Sequence, residues 1–361
     1  MDSIINKALA LTPLTVKEAL MLYQNLPTSE LLLLGDTLRH THKPGNIVTW
    51  QIDRNVNITN VCVSGCKFCN FHCKPHQTEL GYITSIESYK EKIEQTIALG
   101  GDQLLLQGGM HPKLSIDYYI WLLSELKHMF PQIKLHALGA PEVVHISKIS
   151  GLSFTQTLER LVEAGLDSLP GAGAEILDNK IRRSISPGKC TADEWLEVMQ
   201  IAHKMNIPTS ATMMYGHIEA PHHIVEHLIK LRDLQAKCPE GNHGFVAFIP
   251  WVFCSEGTEL AKKVKITEQT PEKYLRIIAI SRIVLNNIKN IQASWLTLGA
   301  QTATMALHSG ANDLGSIMIE ENVVSSAGAT FKMGADQMRS TIIDAGFTPQ
   351  LRDQLYRERT I

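Results

Sequence analysis

No stretch of the 361 residues is apolar for long enough to span a membrane, and the opening run MDSIINKALALTPLTVKEAL lacks the continuous apolar core of a signal peptide. Basic residues are not in excess either. Lys and Arg number 34 against 36 Asp and Glu, a net charge of −2 that leaves no electrostatic footprint for nucleic acid. Low-complexity linkers and short-period repeats are missing, so a single large domain is expected, with residues 1–45 as a helical leader and 46–361 as core plus C-terminal extension. Cysteine is sparse and odd in number, seven in all, which does not close a disulfide framework. A reducing cytoplasm, with neither membrane nor nucleic acid as partner, is the expected setting.

What the chain does have is one dense stretch, Cys62-Val-Ser-Gly-Cys66-Lys-Phe-Cys69, directly after the strand-like run 55–59. Three thiols this close can face one centre, and thiolate suits iron–sulfur clusters and zinc. A four-iron cluster is usually held by four thiolates, so three leave one iron open to a small molecule, and open metal positions do chemistry. A three-thiol zinc site is the alternative at this spacing. Cys73, four residues after Cys69, would close the site as a fourth ligand and is read as unligated. Cys190, Cys238 and Cys254 have no partner at metal spacing and read as buried core thiols.

In the leader, Thr15 is placed to cap a helix over 16–23, and Thr28 or Ser29 a second over 30–38, together a cover packed on the bottom or side of the main domain. Beyond residue 50, short apolar or β-branched runs alternate with amphipathic ones. Strands are expected at 55–59, 102–107, 133–138, 167–172, 208–214, 244–250, 291–297 and 315–319, with helices near 85–99, 115–130, 155–165, 191–205, 221–236, 271–289, 299–309 and 334–346. Eight strand–helix units point to an α/β fold, a (β/α)8 TIM-type barrel; an incomplete barrel with a small appendage is the alternative. A barrel places its chemistry just after each strand. Those positions here carry the cysteines, QGGMHP, HALGAPE, GAGAE, MYGHIEAP, PWVF, SWLTLG and EENVV.

The C-x3-C-x2-C spacing with an aromatic before the last cysteine resembles the signature of the radical S-adenosylmethionine (SAM) superfamily. The resemblance implies a [4Fe-4S] cluster on Cys62, Cys66 and Cys69 whose open iron chelates SAM for reductive cleavage to a 5′-deoxyadenosyl radical. Gln107-Gly108-Gly109 resembles the family's glycine pair for the methionine amino group, where bare backbone allows close approach; elsewhere such a pair is usually a turn. The resemblance also implies that Glu175 and an arginine from its segment, Arg182 or Arg183, contact SAM, against the alternative of a solvated helix face. Phe68 is placed to stack on adenine or shield the cluster, or simply to pack in the core. His136, Trp251, Trp295, Asn312 and Glu320 read as a substrate pocket, with Glu142, His217, Glu219 and Glu321 nearby, although each alone is more often structural.

Longer runs, among them IRRSISPGKC, FIPWVF, NIQASW and GANDLGSIMIEENVV, extend the likeness over roughly residues 54–328. They resemble the cyclic dehypoxanthine futalosine synthases of the futalosine route to menaquinone. The framework is also similar to the aminofutalosine synthases and to the tyrosine-using subunit of the deazaflavin-cofactor synthase. Gly139-Ala140 stands where that family leads one to expect a serine, and Leu298 where it leads one to expect a glutamine. The resemblance implies dehypoxanthine futalosine as substrate, hydrogen abstraction from its 4′ carbon, closure of the sugar radical onto the benzoate ring, and oxidation with loss of a proton. Glu142 and His217 are then candidates to accept that proton, and a flavodoxin or ferredoxin is the kind of electron donor implied. An iron–sulfur electron carrier and a zinc-stabilised interaction protein are the readings from other classes.

Overall fold

One long extended segment anchors the architecture. In the computed structural model, which describes residues 1–360, Ile47–Gln51 (β1) and Asp53–Asn57 (β2) follow one another with only Ile52 between them. β2 pairs in parallel with Gln103–Gln107 (β3), which pairs with Lys134–Ala137 (β4). Parallel bridges from His136 to Ser168 and from Leu169 to Thr209 carry the ladder to Thr209–Tyr215 (β5), which pairs with Phe245–Val252 (β6). Bridges from Phe248 to Ile291 and from Gln292 to Asp313 lead on to Asp313–Ser316 (β7), which pairs back onto β1. With the short segments at 168–169 and 291–292 counted, the expected eight parallel positions close into a barrel.

Thr348–Leu351 (β8) is an addition that the sequence reading did not include. It pairs in parallel with β1, and Arg352 N donates to Trp50 O at 2.9 Å. The chain beyond β8 thereby lies beneath the barrel.

Alternation along the strands decides what faces inward. Val56, Leu104 and Leu106 are buried in the layer against the helices, while Asn55, Asn57, Gln103, Leu105 and Gln107 line the interior cavity. The apolar run of β3 is thus split between two faces.

The helices are Asp2–Leu9 (α1), Val16–Asn25 (α2), Thr28–His42 (α3), Ile86–Ala98 (α4), Ile116–Met129 (α5), Ala140–Ser150 (α6), Phe154–Glu163 (α7), Asn179–Ile185 (α8), Ala192–Lys204 (α9), Pro221–Gln235 (α10), Glu259–Lys263 (α11), Pro271–Val284 (α12), Trp295–Leu307 (α13) and Ala335–Asp344 (α14). Local chemistry starts several of them: Thr15 with Glu18, Ser153 with Gln156 and Thr191 with Glu194 form capping boxes. Several expectations change; the strand expected over 291–297 is reduced to bridges at 291–292, and α13 begins at Trp295. Gly139-Ala-Pro-Glu142 begins α6 instead of remaining a loop, because Glu142 Oε2 accepts the Gly139 N–H at 3.0 Å and Pro141 suits a first turn. Thr28 is already helical and donates to Glu272 at 2.6 Å, so neither it nor Ser29 is the cap.

The leader lies on the flank of the barrel. Arg232 of α10 donates to Leu14 O at 2.7 Å, and Arg276 of α12 donates to Leu26 O at 3.1 Å. α3 comes so close to α12 that a Cβ on Gly35 would stand 3.0 Å from Ala279 Cα. Among the described residues, no helix is long and apolar enough to cross a membrane.

Candidate active site

A cavity of about 380 Å³ runs down the barrel from the C-terminal ends of the strands. Cys62, Cys66 and Cys69 line it together with Gly108, Gly109 and Glu175; Asp53, Gln103 and His136 line its deeper part. The cysteine loop is pinned on both sides. Cys62 N donates to Cys73 O at 3.0 Å, Cys73 N to Asn60 O at 2.9 Å, and Val63 N to Met110 O at 3.1 Å. Donors converge on the sulfurs: Met110 N lies 3.3 Å from Cys62 Sγ, and Ser64 Oγ lies 3.0 Å from Cys62 Sγ and 3.2 Å from Cys66 Sγ.

These residues fit a thiolate-held cluster. Burial pushes the free Cys66 thiol up to about 11, against the pull of Lys189, so the sulfur keeps its proton until a cationic metal centre displaces it. Cys73 is buried and does not line the cavity.

The glycine pair has a packing cause as well as a binding one. A Cβ on Gly109 would stand 2.2 Å from Val61 O and 2.9 Å from Cys62 Cβ. Gly109 N donates to Thr59 O at 2.7 Å. The loop after β3 therefore supports the cysteine loop directly, and only hydrogen fits between them.

Glu175 is buried in a left-handed backbone conformation, φ 44°, uncommon for a residue with a side chain. Its Oε1 lies 2.6 Å from Lys189 Nζ. Burial opposes the charge on Lys189, but Cys66, Glu175 and Glu142 more than offset it, so the ammonium is held above the ordinary lysine range. Lys189 Nζ also stands 5.1 Å from the centroid of the Phe68 ring.

Neither expected arginine reaches the cavity. Arg182 spends its guanidinium on the carbonyls of Gly173, Ala174 and Cys190 at 2.6–3.0 Å, fixing the loop that carries Glu175, and Arg183 is exposed on α8. Lys189 is the cation beside Glu175. It sits one residue before Cys190, where no spacing rule singles it out.

The remaining candidates divide. His136, Glu142, Trp251, Trp295 and Glu321 line the cavity. Burial raises the Glu142 carboxyl, against the attraction of Lys189. Burial lowers His136 to about 3, so it is neutral, with Nδ1 2.7 Å from Ser168 Oγ. Glu321 accepts the N–H groups of Val323, Val324 and Ser325, each at 2.8 Å, and so shapes the loop after β7.

His217 stays outside the cavity. Its Nδ1 accepts from Ile218 N at 2.7 Å and its Nε2 donates to Met214 O at 3.1 Å, while Glu219 accepts the N–H groups of Gly216 and His217. Asn312 is core: it accepts from Arg282 and Ile291 N and donates to Asn290. Glu320 turns away to Lys92, 3.7 Å from Arg54 Nε, in a separate pocket on the side of the barrel. His217 and Glu320 follow strand ends but direct their side chains away from the site, and Asn312 precedes β7, at the end of the strand away from it. Gln51, Asp53, Gln103, Arg352, Gln354 and Tyr356 line the cavity without having been singled out in the sequence. The inward alternation of β2 and β3 is the signal for Asp53 and Gln103.

Two family models cover most of the chain: the radical SAM superfamily over residues 56–231 and the CofH/MqnC C-terminal region over residues 242–361. The chain is 40% identical to a cyclic dehypoxanthine futalosine synthase of Streptomyces coelicolor, over 100% of this chain and 89% of the relative. A protein of that description from Halalkalibacterium halodurans is 39% identical over 98% of this chain and 94% of its own length. A 5-amino-6-(D-ribitylamino)uracil–L-tyrosine 4-hydroxyphenyl transferase of Archaeoglobus fulgidus is also 39% identical, over 91% of this chain and 93% of its own. Among solved structures, a methylornithine synthase superimposes with a TM-score of 0.69 at 18% identity, covering 97% of this chain and 98% of its own. The FeFe-hydrogenase maturase HydG from Carboxydothermus hydrogenoformans gives 0.73 at 15%, covering 99% and 81%; these two show the fold alone. With its three cysteines, glycine pair and glutamate on one barrel cavity, the chain belongs to the radical SAM superfamily and carries the C-terminal region of the CofH/MqnC branch.

Proposed function

We infer that the protein is a radical SAM enzyme that converts dehypoxanthine futalosine to cyclic dehypoxanthine futalosine, in menaquinone biosynthesis. The observation that carries this is the match to two synthases of that description, at 40% and 39% identity over nearly the whole chain. A [4Fe-4S] cluster and SAM, when bound, supply the hydrogen-abstracting 5′-deoxyadenosyl radical.

The chain supplies binding, orientation and a proton acceptor. Cys62, Cys66 and Cys69 hold the cluster by their sulfurs. The backbone of Gly108 and Gly109 and the carboxylate of Glu175 take the polar groups of SAM, and Lys189, in place of the arginines, takes its carboxylate. Phe68 packs over the same site. Trp251 and Trp295 form the apolar wall for the aromatic part of the substrate. Glu142, whose carboxyl burial keeps basic, accepts the proton lost when the ring closes. The reducing electron comes from a small carrier of the flavodoxin or ferredoxin kind, and the setting is the cytoplasm.

Anaerobic turnover of 4′-deuterated dehypoxanthine futalosine tests the reading: deuterium should appear in 5′-deoxyadenosine and should not return to the product. The transferase likeness at 39% identity supports a second reading, in which tyrosine and 5-amino-6-(D-ribitylamino)uracil are the substrates. Turnover only with that pair, or adenosyl carbon in the product as an aminofutalosine synthase would give, overturns the first reading.

A further inference from the structure

The cysteine loop is a wall one residue thick. Cys62, Ser64, Cys66 and Phe68 line the cavity, whereas Val63, Gly65 and Lys67, which alternate with them, do not. Val63 is 42% exposed, and Gly65 is exposed as well. A Cβ on Gly65 would meet nothing within 4 Å, so the peptide joined to Cys66 borders open space. One layer of backbone separates the thiols from the outside here.

The chain after α8 braces this wall from without. Gly188 N donates to Ser64 O at 2.9 Å, and a Cβ on Gly188 would stand 2.6 Å from that oxygen. Pro187 and Gly188 are exposed, so with Val63 and Gly65 they make an uncharged ridge beside Cys62 and Cys66.

Cations surround the ridge. Lys67 N donates to Ile185 O at 2.8 Å and its Nζ to Ser184 O at 2.6 Å, which sets it beside the exposed Arg183. Lys67 O accepts from Leu260 N at 2.8 Å, which brings in α11 with the exposed Lys262 and Lys263. The acid of that helix, Glu259, lies 2.5 Å from Lys263 Nζ. Its carboxyl is held below the ordinary carboxylate range by Lys263 first, then by Lys67 and Lys74, so these charges share one surface. Glu256 turns aside, its Oε2 only 2.4 Å from where a Cβ on Gly328 would stand. Lys67, Arg183, Lys262 and Lys263 thus stand against one acid, on a chain with a net charge of −2.

The chemistry of the patch selects the partner. Reductive cleavage of SAM needs an electron from outside, and tunnelling falls steeply with distance, so a carrier gains most by docking where the wall is thinnest. A basic rim draws in an acidic protein and speeds its arrival. The uncharged ridge inside that rim takes an apolar edge, and the benzenoid edge of a flavin is one. Electron-transfer encounters bury little surface, under about 1,200 Å², so one loop and its neighbours are enough.

We propose that the outer face of the cysteine loop, with Val63 and Gly65 at its centre and Lys67, Arg183, Lys262 and Lys263 as its rim, is the docking surface for an acidic, flavin-carrying electron-transfer protein. This rests on the reading that a carrier serves a cluster on Cys62, Cys66 and Cys69, whichever substrate is turned over. The carrier's anionic flavin hydroquinone gives one electron to the cluster and becomes the neutral radical; no proton or other atom moves.

The test follows the electron in reverse, through the same surface and without any substrate. Photoreduced, SAM-free, cluster-loaded enzyme is mixed anaerobically with oxidised flavodoxin, and the rise of the flavin radical, which takes its proton from water, is timed by stopped flow. Oxidised methyl viologen, a small cation, is the control acceptor. Arg183→Glu combined with Lys262→Glu should slow the flavodoxin reaction about ten- to a hundredfold at low ionic strength, and less at high salt. The viologen reaction should be no slower than in wild type. A variant as fast as wild type with flavodoxin, or one that loses as much with viologen, overturns the surface.

Should the double variant lose its iron, Val63→Glu on the ridge carries the same expectations. Wild type that passes its electron to an acidic ferredoxin and not to flavodoxin overturns the flavin carrier. Failure of the cyclase reading leaves the measurement untouched, since no substrate is present. A wild-type chain that takes up no iron overturns the cluster reading and this surface together.

Discussion

Lys189 Nζ sits 2.6 Å from Glu175 Oε1 in the wall of the cavity, one residue before the cysteine whose carbonyl holds Arg182. Charges that the sequence places on one segment are therefore sorted by the fold. Glu175 and Lys189 face the site, and Arg182 is spent on backbone.

This sorting sets the first prediction. Glu175→Gln and Lys189→Met should each weaken SAM binding by about 1.5–3 kcal/mol, roughly ten- to a hundredfold, through loss of a charge-assisted bond. Arg183→Ala should leave SAM affinity unchanged. Calorimetric titration of the anaerobic protein with SAM checks all three, and a weakened Arg183→Ala beside an unaffected Lys189→Met would reverse the assignment.

Gly109→Ala should disturb the cluster, although it adds one methyl group and removes no ligand. Its Cβ would meet Val61 O at 2.2 Å, and backbone cannot yield without moving Cys62. Iron content per chain should fall in Gly109→Ala. The opposite finding, full iron with unchanged SAM cleavage, means the two loops separate easily.

Each of Cys62→Ala, Cys66→Ala and Cys69→Ala should abolish SAM cleavage, since each removes one of three sulfurs on the cavity. Cys73→Ala should keep the iron content and the absorption spectrum, because what Cys73 gives the loop is backbone: its N–H to Asn60 O and its carbonyl to Cys62 N. Loss of the cluster in Cys73→Ala would make it a fourth ligand.

Acid should destabilise the fold through its buried histidines. His227 accepts from Leu177 N and donates to Thr212 O, both at 3.1 Å, and burial lowers it to about 3 from an ordinary 6.5. Between those values the unfolded chain holds the proton and the native protein does not, so stability is lost as pH falls below 6.5, at up to about 1.4 kcal/mol per pH unit. His227→Gln removes that contribution. The wild-type advantage in denaturant unfolding should shrink by about 1 kcal/mol between pH 7.5 and pH 5.5, and an advantage that stays constant would show that His227 does not carry the effect.

The sequence by itself determined the chemistry and the layout. Cysteine spacing is local and survives any fold, so three thiols able to share one centre could be read directly. Strand and helix periods are local too, and the strand-end rule then placed Gly108, Gly109, Glu175, Trp251 and Trp295 on one cavity.

Only the tertiary structure decided which way side chains at the strand ends point. His217 and Glu320 sit just past strand ends but bond to a neighbouring carbonyl and a flanking lysine, while Asn312 precedes β7, at the opposite end of the strand from the site, and bonds within the core to Asn290. Lys189 became visible only when α8 and the loop after it folded back beside Glu175. The floor was the least legible part. β8 pairs with β1 across some three hundred residues of chain, and Tyr356 reaches the cavity through a left-handed turn that Asp353 holds in place. No local pattern encodes that pairing, because its free energy comes from closing the bottom of a barrel built by the rest of the chain.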